Sequence, residues 1–102
     1  MMIDSNTPEL VRESVGDTPY DYYPLGEHIV IAPGVCGGRP TFKYTRLEVS
    51  VILAVLREGR TIDGVVVEYA YSDLSRAAVR EALQLADEAF TQRAYSIYPF
   101  AV

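Results

Sequence analysis

Cysteine and histidine occur once each in this 102-residue sequence, as Cys36 and His28. A single cysteine excludes an internal disulfide and points to a reduced, cytoplasmic setting. One histidine and one cysteine make no metal-ligand spacing, so no metal is expected. They would form a thiol–imidazole pair only if folding joined them; at a strand start and beside a glycine turn, both read as structural. The glycines fit neither the dinucleotide nor the P-loop pattern, so no cofactor is expected. Adjacent acids such as Asp87-Glu88 point to different helix faces and read as solvation. No apolar run approaches the ~18 residues of a membrane-spanning helix. The start, MMIDSNTPEL, lacks the basic and apolar segments of a signal peptide. These absences lead us to expect binding rather than catalysis.

What is present is the composition of one globular domain, with 49% hydrophobic and 23% charged residues. A chain this long buries roughly two-thirds of its unfolded surface. The net charge of −5 is unevenly spread. Residues 1–27 carry six acids against Arg12, and residues 61–102 six acids against Arg76, Arg80 and Arg93. Residues 28–60 are the only positive segment, with Arg39, Lys43, Arg46, Arg57 and Arg60 against Glu48 and Glu58. A positive patch attracts phosphate, while the acidic remainder weakens that attraction and favours a basic protein partner.

Residues 1–27 read as a partly ordered leader. Thr7-Pro8-Glu9 has the form of a helix start, and a short helix to about Ser14 is expected. Tyr20, Tyr22 and Tyr23 lie between Pro19 and Pro24, as an aromatic loop packed on the domain or as a partner-binding patch. His28 to Ile31 is a β-branched run that predicts a strand. After the turns at Pro33-Gly34 and Gly37-Gly38, residues 39–44 alternate with period two and predict a ribbon strand. Three helices follow. Val49, Ile52, Leu53 and Leu56 define the first, closed by Gly59 in a left-handed cap. Thr61 caps a second, carrying Ile62, Val65, Val66 and Tyr69, and Ser75 caps a third from Arg76 to about Gln92. The domain is thus expected over 28–92, with an apolar tail over 93–102.

The expected fold is mostly α: a three-helix, helix-turn-helix core preceded by a short β-ribbon. The last helix of such a core enters a DNA major groove, which would present Arg76, Arg80 and Gln84. The alternative for these residues is a solvated helix face. Arg39, Lys43 and Arg46 on the ribbon would contact phosphate or an acidic partner; Arg46 would otherwise order the turn before the first helix. The first and third helices each carry a second apolar stripe. Val51, Val55, Leu85 and Ala89 on these stripes predict a homodimer interface, with the tail as the competing cover.

The run Pro33-Gly34-Val35-Cys36-Gly37-Gly38-Arg39-Pro40 is followed by Thr45-Arg46-Leu47, Val49, Ile52-Leu53, Leu56, Gly59, Ile62, Tyr69, Leu74 and Arg76. Together these resemble the domain-of-unknown-function family 433. The resemblance runs from about His28 to Phe90. It implies a homeodomain-like core and an antitoxin-like protein of the VapB type, paired with a PIN-type nuclease toxin. A stand-alone helix-turn-helix DNA-binding regulator is the other function to weigh. The chain departs from the family pattern at Tyr44, where glycine is usual, at Gly64, where an acid is usual, and at Ala70, where proline is usual.

Overall fold

A computed structural model of the protein describes residues 9–99. The strands are β1 (Val11–Val15), β2 (Thr18–Pro24), β3 (Ile29–Ile31) and β4 (Thr41–Phe42); the helices are α1 (Val49–Arg57), α2 (Ile62–Glu68) and α3 (Arg76–Ile97). The strands form one antiparallel sheet in the order β1-β2-β3-β4. A four-stranded sheet followed by three helices replaces the expected homeodomain-like core. The sheet takes part in the packing: Ile29 and Phe42, opposite each other across β3 and β4, enter the same buried cluster as the helices.

The short helix expected from about residue 8 to Ser14 is instead strand β1; Thr7 and Pro8 lie outside the described residues. Two residues, Gly16-Asp17, connect β1 to β2, and Gly16 takes a φ of +63°. A two-residue Gly-Asp link between short strands is a hairpin signal, because the tight turn requires a positive φ. Cross-strand pairing then decides the conformation, since a helix this short gains little on its own. The tyrosine segment is β2 rather than a loop.

The predicted ribbon from Arg39 to Tyr44 shortens to Thr41–Phe42. Tyr44 adopts a left-handed backbone, φ +68°, and ends the strand. The Thr45 hydroxyl then donates to the Phe42 carbonyl at 2.7 Å and accepts from the Leu47 amide at 3.0 Å, turning the chain toward α1.

The helix boundaries follow the sequence signals closely. Gly59 has φ +102° after α1. The Thr61 hydroxyl accepts from the Gly64 amide and the Ser75 hydroxyl from the Ala78 amide, both at 3.0 Å. These bonds satisfy amides left over at each helix start. α3 runs five residues past Gln92, through part of the expected tail; residues 100–102 lie outside the description.

The sheet has two buried faces. Ile29 and Phe42 join Val49, Ile52, Val65 and Val79 on the helix side. Tyr22, Val30 and Ala32 form a smaller cluster on the other face. Adjacent residues Ile29 and Val30 serve opposite faces, the period-two alternation of a strand. Glu81 on α3 ties the two layers together. Its carboxylate accepts from the backbone amides of Glu27 at 2.8 Å and His28 at 2.7 Å, in the β2–β3 connection.

Candidate functional site

The predicted binding cations do not gather into one surface. Arg39 forms a two-pronged contact with Glu48, at 2.8 and 3.3 Å. The pair fits the charge of both groups: Glu48 is held below the usual carboxylate range by the guanidinium bond, and Arg39 is raised by the same bond. Arg76 pairs with Asp63, and Arg60 with Glu68. Lys43 lies over two aromatic faces, with Nζ 4.9 Å from the Tyr22 ring centre and 5.1 Å from that of Tyr44. Gln84 donates to Glu88 at 3.1 Å. Among the described residues, Arg46 and Arg80 are exposed and without an ion-pair partner.

Lys43, Arg46 and the pair Arg80 and Gln84 fall in three separate clefts. Lys43 lines one with Tyr44, Ser75 and Ala78. Arg80 and Gln84 line a second, with Glu27, Glu81 and Glu88, whose acids oppose a phosphate. The third is a cleft of about 530 Å³ where Arg46 meets Tyr20, Asp21 and Tyr23 of β2 and Pro33 to Val35 of the following loop. The backbone at Arg46 is fixed by the Cys36 thiol, which donates to its carbonyl at 3.3 Å. Sequence reasoning singled out Arg46 and the tyrosines separately. Their meeting depends on the β1–β2 hairpin, which it missed; the Gly16-Asp17 turn was the available signal.

Tyr44 is the centre of a second arrangement. A left-handed backbone is unfavourable for a bulky residue. Here the Tyr44 amide donates to the Tyr20 hydroxyl at 2.8 Å, and the Tyr44 hydroxyl donates to Glu13 at 2.7 Å. Glu13 also accepts from the Tyr22 hydroxyl at 2.6 Å. All of these partners come from the hairpin. The bond from Tyr22, then that from Tyr44, with help from the Lys43 charge, lowers the Glu13 carboxyl below its ordinary value. The Tyr44 hydroxyl is raised, chiefly because it donates a hydrogen bond to Glu13.

A lowered carboxyl stabilises the fold above its unfolded value and loses that contribution as pH falls through the folded value. The hairpin is therefore expected to loosen in the acid range below 4.5, the ordinary value for Glu13. A raised phenol acts in the opposite sense, and its contribution disappears as pH rises above its folded value. Amide exchange in Val11–Pro24 at pH 3 should exceed that at pH 6 after correction for intrinsic rates. The Tyr22→Phe, Tyr44→Phe double variant should show little of this acid dependence. An unchanged dependence in that variant would remove Glu13 as its source.

The four residues of the expected dimer interface also part company. Val55 and Leu85 pack against the helix-side core, whereas Val51 and Ala89 are exposed. No cluster of three or more His, Cys, Asp or Glu side chains suited to a metal occurs among the described residues. No described helix is long and apolar enough to cross a membrane. Over residues 29–86 the sequence matches the family described as protein of unknown function, DUF433. Neither a curated protein nor a solved structure matches the chain.

Proposed function

We propose that this chain, which belongs to the DUF433 family, is a non-catalytic protein-binding module, an antitoxin-like component that neutralises a nuclease of the PIN type. The observation that carries the protein-binding reading is the Arg46 cleft. Tyrosine and arginine are the side chains that most often dominate the energy of protein interfaces. Here two tyrosines and an arginine with no described ion-pair partner surround one concavity, on a backbone held by a strand and a thiol hydrogen bond. A guanidinium at such a rim complements a carboxylate cluster, the feature that a metal-dependent nuclease must expose to its substrate.

The stand-alone DNA regulator has less to draw on. Arg39, Arg60 and Arg76 are already paired to carboxylates, and three acids surround Arg80 and Gln84. Affinity for DNA grows with the number of phosphates neutralised, and three of the nine cations are already committed to carboxylates.

The test is co-expression with a PIN-type nuclease from the same genome, starting with whatever protein is encoded beside this chain, reading cell growth and complex formation. The chain should restore growth and co-purify, and Arg46→Glu should weaken the complex by more than about 30-fold, the loss typical of an interface hot spot. No complex would overturn the antitoxin reading; a complex indifferent to Arg46→Glu and Tyr23→Ala would move it to another surface. Steeply salt-dependent binding to upstream DNA, lost in Arg80→Ala, would favour the regulator instead.

A further inference from the structure

The walls of the Arg46 cleft belong to two units. Arg46 and the loop from Pro33 to Val35 are part of the body. Tyr20, Asp21 and Tyr23 are part of the β1–β2 hairpin, which precedes the family segment 29–86. The hairpin is well paired within itself, with five residue pairs between β1 and β2, but only two pairs join β2 to β3. Among the described residues, none of the hairpin enters the buried cluster that β3, β4 and the helices share. Its buried anchor is Tyr22, in the smaller cluster with Val30 and Ala32. A unit with few buried contacts to its neighbours is the kind that opens locally.

We propose that Tyr44 is the positioning residue of this cleft: it latches the hairpin to the body, and its release carries Tyr20 and Tyr23 away from Arg46 while the helical body stays folded. The importance of the cleft to a partner rests on the function proposed above. Tyr44 lies two residues before Arg46 and does not line the cleft itself. It reaches the hairpin in three ways. Its amide donates to the Tyr20 hydroxyl, its hydroxyl donates to Glu13, and its ring centre lies 5.1 Å from that of Tyr20. The Tyr20 ring lies in turn 5.3 Å from the Tyr22 anchor. Tilted rings at this spacing attract each other beyond the area they bury. On the body side the flanking backbone is fixed. The Lys43 amide donates to the His28 carbonyl at 2.8 Å and the Thr45 amide to the Phe42 carbonyl at 3.0 Å. The left-handed backbone at Tyr44 opposes this arrangement, and the hairpin contacts offset it. Glycine adopts that backbone without strain. Tyr44→Gly therefore separates two effects: the hairpin loses the ring and hydroxyl, while the turn in the body relaxes.

Native-state amide exchange of the full chain at pH 6 is the test. Tyr44→Gly should speed exchange across β2 by at least about tenfold, the contribution of one hydrogen bond to a charged group. Exchange in α1 should change by no more than about threefold, because relief of the turn offsets the weaker docking. Tyr44→Phe keeps the ring and the amide and should show part of the β2 effect. Equal acceleration in β2 and α1 would overturn the latch, since hairpin and body would then open as one unit. Unchanged exchange in β2 would overturn it as well. A complex that depends on Arg46 should weaken in Tyr44→Gly in proportion to the fraction of hairpin released. Full affinity with the hairpin released would overturn the positioning role. The exchange measurement involves no partner, so the absence of any complex would count against the antitoxin reading alone.

Discussion

Ile52→Ala is expected to lower the unfolding free energy by about 3–4 kcal/mol, the usual range for emptying a fully buried isoleucine site. Ile52 is 0% exposed and lies in the cluster that joins β3, β4 and all three helices. The loss has two parts. Three carbons are removed from an apolar environment, and the surrounding side chains, fixed on separate elements, cannot all close the space. For a domain whose total stability is of order 5–15 kcal/mol, that is a large fraction. Urea denaturation should show the midpoint falling with little change in slope. Val51 supplies the control. It is the preceding residue on the same helix but 40% exposed, so Val51→Ala should change stability by no more than about 0.5 kcal/mol. Equal losses at the two positions would mean that the sheet and helices do not share one core.

Glu81→Ala should lower stability by about 2 kcal/mol. Hydrogen bonds to a charged group contribute about 1.5–3 kcal/mol each, and partial rehydration of the freed amides recovers some of the two that are lost. The bonds join residues more than fifty positions apart, so their loss frees the β2–β3 connection from α3. Gly26 tests the same contact from the other side. A Cβ there would sit 2.6 Å from the Glu81 carboxyl carbon. The carboxylate is the end of a flexible side chain, so it can withdraw, but only by giving up both amides. Gly26→Ala should therefore cost about as much as Glu81→Ala, and adding it to Glu81→Ala should cost little more. Full additivity of the two would show that the contact does not act as one unit.

The same glutamate shows why site reasoning from sequence alone stops short. On a helical wheel Glu81 is one more acid beside Arg80, set to repel a phosphate. In the fold it is a tether for loop amides, a role that depends on which loop arrives beside α3. Arg39 and Arg76 are similar: each is a free cation in the sequence and a paired one in the structure. Tyr44 illustrates the reverse. It holds a left-handed backbone that glycine adopts most easily, and the sequence gives no sign of what compensates. The answer lies in Glu13, Tyr20 and Tyr22, which precede the matched segment 29–86 and reach Tyr44 only through the hairpin.

Local chemistry was enough to determine the three helices, their Thr61 and Ser75 caps, the glycine end of α1 and the β3 strand. Each depends on neighbours within a few residues, where periodicity and capping act directly. Tertiary structure alone decided that Val11–Val15 is a strand, that the sheet shares a core with the helices, that Tyr20 and Tyr23 meet Arg46, and which cations stay unpaired. Those outcomes turn on cross-strand pairing and on contacts between distant residues. Short segments whose local preferences are weak take whichever conformation such contacts stabilise, and a side chain's charge counts toward binding only after its neighbours in space are known.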